Sequence, residues 1–354
     1  MPIVDQGYQH WSGKLSGHAW RWLAITRRGV KSALQSKLLR FALLPACIPP
    51  ILLAFVLCMW GLVERQSELV KSFTPFLSSL LGQPILAGPR DYRVEIWTIC
   101  FHFFLWWELW FAMALVLLVG PNLISQDMRY NALPLYLSRP LRRVDYFAGK
   151  LGVIVTIVGG AIIVPCAAAY ALGLMFSLDF SIVRDTFRIF AASVVYGLVI
   201  AFSTGLLMLA LSSLSRNSRY VAIMWIGVWI ITGTVSLVLV NVAADARMHQ
   251  GNRRPRGRAT EEFYLEQIES SKRDWRPLVS YTANLQRIEE RLLRTNDAWK
   301  RLSELSPKGS RAPFLWRMTG NQYPWYWSAA VLIGVALLSA GVLNFSVKSL
   351  DRLK

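Results

Sequence analysis

The sequence predicts an all-α integral membrane protein with about six transmembrane helices, an N-terminal interfacial helix and a helical insertion between the last two membrane helices. Three observations carry that expectation. The 354 residues are 54% hydrophobic, with a mean hydropathy of +0.36, more apolar than a soluble domain that must clothe itself in charge. The apolar residues cluster in six windows of roughly twenty or more residues, the length a hydrocarbon core of ~30 Å demands of a helix. They run Phe41–Leu62, Trp97–Gly120, Leu151–Leu178, Phe187–Leu211, Tyr220–Ala243 and Trp325–Val347. Finally, basic residues concentrate in alternate connections. A soluble protein with six buried core helices is the competing reading, and it leaves too little polar chain to wrap them.

Residues 1–40 form the first element, a cytoplasmic amphipathic segment. Trp20, Arg21, Trp22, Arg27, Arg28, Lys31, Lys37 and Arg40 mix rings with cations, and Leu15, Ala19, Trp22 and Ile25 share a helical face. Such a helix lies in the headgroup layer, rings at the interface and basic groups towards anionic lipid. Residues 41–243 follow as membrane helices one to five. Pro45, Pro49 and Pro50 predict a kink or break in the first, and Pro75, Pro84 and Pro89 bracket a short surface helix over 76–81 in the loop after it. In the fourth, Gly197, Ala201 and Gly205 lie four apart, a small-residue ridge for close helix packing. Residues 244–323 form the long insertion, opened by the basic run Gly251–Arg258. An apolar stripe at Leu285, Ile288, Leu292, Thr295, Trp299 and Leu302 predicts one helix of about six turns, with a shorter one at Tyr264, Ile268 and Trp275 beside it. Residues 324–354 complete the chain with the sixth membrane helix and a tail.

Charge sets the expected orientation. The first forty residues carry seven Lys/Arg and one acid, and residues 121–150 carry five and two. The link 212–219 carries two and none, and the tail after Phe345 three and one. Segments 63–96 and 179–188 are balanced, four against four and two against two. Cytoplasmic loops are rich in Lys/Arg, so both termini are expected inside. Helix parity then puts 244–323 outside, against its sixteen bases and ten acids, because long loops cross largely regardless of charge. The first apolar run is too long for a cleavable signal and reads as a signal anchor. A net charge of +18 would suggest nucleic acid in a soluble protein; its placement here marks membrane topology, and no nucleic-acid partner is expected.

Catalytic chemistry finds little support. The sequence has no GxxxxGK[ST], HExxH or GxSxG. Cys47, Cys58, Cys100 and Cys166 all lie inside apolar windows without CxxC spacing, so neither a disulfide framework nor a metal site is expected. Glu108 is the only acidic residue in the six windows. A carboxylate at that depth faces protein or water, which makes it a candidate lining of a substrate path or a structural partner of a neighbouring helix. His102, six residues earlier, shares no helical face with it.

The informative stretch is the second basic connection, residues 121–150. Leu133, Leu135, Leu137, Leu141 and Phe147 are apolar outside the membrane, with Arg139, Arg142 and Arg143 among them. Exposed apolar residues beside clustered arginines suit a docking surface; a solvated topology loop is the alternative. Here the sequence resembles the cytoplasmic loop of ABC-2 type transporter permeases. The matching positions are Ile124, Asp127, Arg129, Leu133, Leu137, Ser138, Pro140, Arg143, Gly149 and Lys150. The amphipathic N-terminus, the six helices and the short link before the fifth match as well. Asn131-Ala132 stands where Gly-Thr is commoner, Pro134 where an acid is common, and the 244–323 insertion exceeds the usual external element.

The resemblance implies a permease subunit of an ATP-binding cassette transporter in a bacterial plasma (inner) membrane, with export the commoner direction. Two permease subunits, identical or different, would line the path. A separate ATPase subunit, holding ATP and Mg, would dock on the coupling loop and drive the helices; this chain would bind no cofactor of its own. Leu137, Arg139, Leu141, Arg142, Arg143 and Tyr146 are the expected docking residues. A membrane scaffold acting through the 244–323 insertion is the main alternative. An intramembrane enzyme is a weaker one, because it needs several ionisable groups at one depth.

Overall fold

The computed structural model describes residues 20–67, 85, 86, 88–132, 142–177, 181–250, 261–305, 315, 317, 318, 320 and 322–351. The surface helix expected at 76–81, the basic run 251–258 and the loop centre 133–141 lie outside them. Every regular element among the described residues is helical, and six are long and apolar enough to cross a membrane. The fold class is therefore the one the hydropathy windows predict.

Helix α1 (Arg21–Gln35) carries no acidic residue and ends at Ser36. The Ser36 hydroxyl accepts from the Leu39 amide and so caps α2 (Lys37–Ala46). The first span consists of α2 and α3 (Ile48–Glu64), joined at Cys47. The predicted break is here: Pro49 and Pro50 occupy the first turn of α3, where a missing amide hydrogen leaves no bond unmade.

A short 3-10 turn leads into α4 (Arg93–Val119), about 40 Å long at 1.5 Å per residue. It is the central helix. Trp97, Phe101, Leu105, Leu109 and Met113, spaced four apart, are each at most 1% exposed. A corner at Gly120-Pro121 ends it, and α5 (Asn122–Arg129) follows. A Cβ at Gly120 would sit 2.0 Å from the Met208 side chain, so only glycine lets this corner close.

Helices α6 (Arg143–Ser177) and α7 (Ser181–Leu214) form the tightest pair of spans. Their seam is the small-residue ridge. Gly197 faces Ile162 and Ile163, and Gly205 faces Leu151 and Ile154. Ala201 is fully buried between them. The partner of that ridge is thus a helix of the same chain. Span α8 (Ser218–Gln250) is the most peripheral: 11% of its apolar window is buried, against 56% for the α4 span. Its outward Ile223, Ile230, Ile231 and Val238 suit a hydrocarbon surround.

The insertion departs from its sequence reading. After α9 (Glu261–Ser271), the expected six-turn helix is two: α10 (Tyr281–Leu293) and α11 (Thr295–Leu305). Arg294 between them is left-handed, φ 60° and ψ 43°, and its amide bonds the Glu290 carbonyl, a helix-ending geometry. Nor do these helices form a hairpin standing apart from the bundle. Helix α10 packs against α4, α7, α8 and α12 (Trp325–Asp351), the sixth span. Its apolar stripe meets spans rather than a sister helix, and a one-dimensional pattern does not distinguish the two.

Candidate functional site

The bundle has two polar ends. Helices α1 and α5, the start of α6, the end of α7, the start of α8 and the end of α12 share one of them. Ser213 and Ser346, near the ends of α7 and α12, approach to 3.4 Å there. The opposite end gathers the ends of α3 and α6, the starts of α4 and α7, and the insertion.

The first end holds the resemblance motif. Asp127 on α5 receives Lys150 Nζ at 2.6 Å and the Tyr146 hydroxyl at 2.7 Å. Tyr146 and Lys150 lie one turn apart on α6, and the ammonium also lies 5.5 Å from the Tyr146 ring centroid. The node ties the two feet of the 121–150 connection together. From α7, Ser212 Oγ accepts from the Ile124 and Ser125 amides at 3.1 Å each and donates to the Pro121 carbonyl at 3.0 Å. A side chain from another span thus satisfies the orphan donors at the start of α5. Asp145 accepts from the Arg142 amide at 3.2 Å and opens α6.

Helix α1 lies along the same foot of α6. The Thr26 hydroxyl donates to the Gly149 carbonyl at 3.0 Å, and Gly149 and Gly152 face Ile25 and Thr26. The motif glycine therefore provides the surface on which α1 rests.

Tyr146, one of the expected docking residues, is 2% exposed and its hydroxyl donates to Asp127; its i, i+4 relation to Lys150 was the available signal for this node. Arg142 is exposed, and Arg143 is partly buried with interactions of its own. Ile124 is buried, and Arg129 lies 5.8 Å from the Tyr130 ring centroid. Leu133, Leu137, Ser138, Arg139, Pro140 and Leu141 lie outside the described residues.

At the second end, Glu64 and Arg93 form a buried bidentate pair, Nε to Oε1 at 2.9 Å and Nη2 to Oε2 at 2.7 Å. Trp60 Nε1 and Ser177 Oγ also donate to Glu64, at 2.7 and 3.2 Å. Arg93 Nη1 continues to Ser181 and Asp185 on α7. One cluster thus clamps α3, α4, α6 and α7. Sequence reading missed it; the balanced charges of the 63–96 segment were its trace.

The insertion docks at this end and reaches deep. Arg188 of α7 donates to the Leu292 and Leu293 carbonyls at 3.2 Å each, Arg301 pairs with Glu95, and His102 Nδ1 lies 2.9 Å from Glu289, itself 1% exposed. At the other tip of α10, the Tyr281 hydroxyl meets Ser203 at 2.7 Å. Ser203 is eleven residues, ~16 Å, from the far end of α7. The insertion is therefore re-entrant: it comes from one end and starts α10 beyond mid-bundle.

Glu108 is fully buried in the core, and neither carboxyl oxygen has a hydrogen-bond partner among the described residues. A buried group that bonds nothing contributes no stability in exchange for its desolvation. Glu108→Met is accordingly expected to raise the thermal midpoint of the purified chain. A lowered midpoint would mean that the carboxyl bonds a group the single chain does not hold.

A family model described as ABC-2 family transporter protein matches residues 36–344. A search of curated proteins finds no match.

Proposed function

We propose, from the premise that this chain belongs to the ABC-2 transporter family and is a multi-pass membrane permease of that family, that it exports a substrate with ATP hydrolysed by a separate ATPase subunit. The carrying observation is the extent of the match. Residues 36–344 run from the junction of α1 and α2 into the last span, so the likeness covers the whole membrane body and not one motif. On this reading a second permease subunit, identical or different, completes the path. The ATPase docks at the end that carries 121–150, and both termini are cytoplasmic in a bacterial plasma membrane.

The Asp127–Tyr146–Lys150 node supports the mechanism. Nucleotide can bias the permease only through contacts that differ between its states. A push on the loop above the node passes to α5 and α6 together, because their feet are joined. Through Ser212 and Thr26 it passes on to α7 and α1.

Co-expression with a candidate partner ATPase of the ATP-binding cassette type tests the docking. A complex is expected to copurify, and Leu141→Asp to abolish it at every salt concentration, since truncated apolar anchors cost more than rim charges. If Leu141→Asp copurifies and supports normal ATP-driven transport, the loop is only a topology signal. For orientation, a single cysteine at Lys272, whose side chain is 52% exposed, is expected to label from outside intact cells. Labelling only after permeabilisation would invert the arrangement.

A further inference from the structure

Between α1 and α6, at the end that carries the 121–150 connection, lies a cavity of about 600 Å³. We propose that it is a binding site for one anionic glycerophospholipid. Its walls bring Leu23, Arg27, Val30, Lys31 and Leu34 of α1 together with Thr156 of α6. These α1 positions recur at three- and four-residue spacing and form one face of the helix.

Three features fix the chemistry of the occupant. The first is the apolar wall. Leu23, Val30 and Leu34 offer an acyl chain a track, and Leu23 and Leu34 are 45% and 42% exposed. Thr156 stands five residues past Leu151, where the third apolar window begins, about 8 Å into that window. The cavity therefore runs from the headgroup layer to the start of the acyl region.

The second feature is charge. Arg27 and Lys31 are exposed and make no ion pair or hydrogen bond among the described residues. They sit one turn apart, a separation of about 6 Å that lets both reach one phosphodiester. Helix α1 has four basic residues and no acidic one, so nothing on it neutralises the pair. Basic pockets between helices at a membrane surface are suited to anionic headgroups, and long cationic stems lie along apolar surface while their heads stay at the interface.

The third feature is that the rest of the polar lining carries no charge: Gln35 and Thr156 are neutral, and Thr26 is already used. The Thr26 hydroxyl donates to the Gly149 carbonyl, with the Trp22 carbonyl also in reach. Recognition thus falls to the two cations and the apolar track, which together select a lipid over a free phosphate. A lipid seated there bridges α1 to α6 beside the Asp127 node and makes the fit of α1 depend on the anionic lipid content of the leaflet.

The test uses the purified, delipidated full chain in detergent and native mass spectrometry after adding phosphatidylglycerol or phosphatidylcholine. One phosphatidylglycerol is expected to be retained in preference to phosphatidylcholine. The Arg27→Gln/Lys31→Gln variant is expected to lose about thirty-fold in affinity for it. Arg28→Gln, a neighbouring cation that does not line the cavity, is expected to retain it. Leu34→Trp, which fills the track and leaves both cations, is expected to lose it. Soluble glycerol phosphate is expected not to compete. Equal retention of the two lipids, undiminished retention by Arg27→Gln/Lys31→Gln or by Leu34→Trp, or displacement by glycerol phosphate would each overturn the proposal.

Discussion

Arg93→Ala is expected to destabilise the folded chain by about 3–5 kcal/mol, the usual cost of breaking a buried ion pair from one side. The reason is what it leaves behind. Glu64 and Arg93 are each 3% exposed at their side chains, and of the four hydrogen bonds Glu64 accepts among the described residues two come from this one guanidinium. Without it, a carboxylate stays enclosed among α3, α4 and α6 with Trp60 and Ser177 its only donors among the described residues. The link onward to Ser181 and Asp185 on α7 goes with it. Arg93→Lys is expected to rescue little, because an ammonium cannot make the side-on bidentate contact and reach Asp185 as well. The double variant Glu64→Gln/Arg93→Met is expected to recover much of the loss, since it removes the stranded charge along with the pair. Thermal denaturation in detergent, with the amount of chain recovered from membranes, reads all three. An unchanged midpoint for Arg93→Ala would show that the cluster does not hold the four helices together.

Gly149→Leu is expected to abolish ATP-driven transport while the six spans still insert. A Cβ at position 149 would lie 2.7 Å from the Ile25 Cβ and 3.0 Å from the Trp22 carbonyl oxygen. The second neighbour is backbone and cannot rotate away, so α1 must lift. With it go the Thr26 bond to the Gly149 carbonyl and the seating of Gly29, whose own Cβ would be 3.6 Å from the Val153 Cβ. That separation suits a disulfide and supplies the assay. In a background lacking the four native cysteines, Gly29→Cys/Val153→Cys is expected to cross-link, and Gly149→Leu to prevent it. The spans insert regardless, because their apolar windows are untouched. A cross-link that persists alongside full transport would show that α1 tolerates the side chain and that the glycine serves another purpose.

Most of the architecture was legible in the sequence because it rests on composition along one dimension. A run of twenty apolar residues has few alternatives to a spanning helix, and the windows at Trp97 and Phe187 needed no knowledge of their neighbours. The break in the first span was legible for a similar reason, since Pro49 and Pro50 act on their own backbone. The small-residue ridge at Gly197, Ala201 and Gly205 was legible as a ridge, and its partner α6 was not, because spacing states what a surface permits and not which surface it meets. The motif residues Asp127, Gly149 and Lys150 stood out by resemblance. That two of them form one node with Tyr146, and that the third seats α1, emerged only once α5, α6 and α1 were placed together.

What the sequence determined by itself is the set of membrane spans, the alternation of charge between their connections and the family to which the chain belongs. Each depends on local hydrophobicity or on the order of residues, both independent of distance in space. The tertiary structure decided the re-entrant course of α10, the pairing of Glu64 with Arg93 and of His102 with Glu289, and the enclosure of Glu108. These join residues from 29 to 187 positions apart or depend on what surrounds one. An apolar stripe reads the same whether it faces solvent-side helices or the interior of a bundle. Only three-dimensional packing distinguishes the two, because the free energy of burying a charge or an apolar face is set by its neighbours and not by its place in the chain.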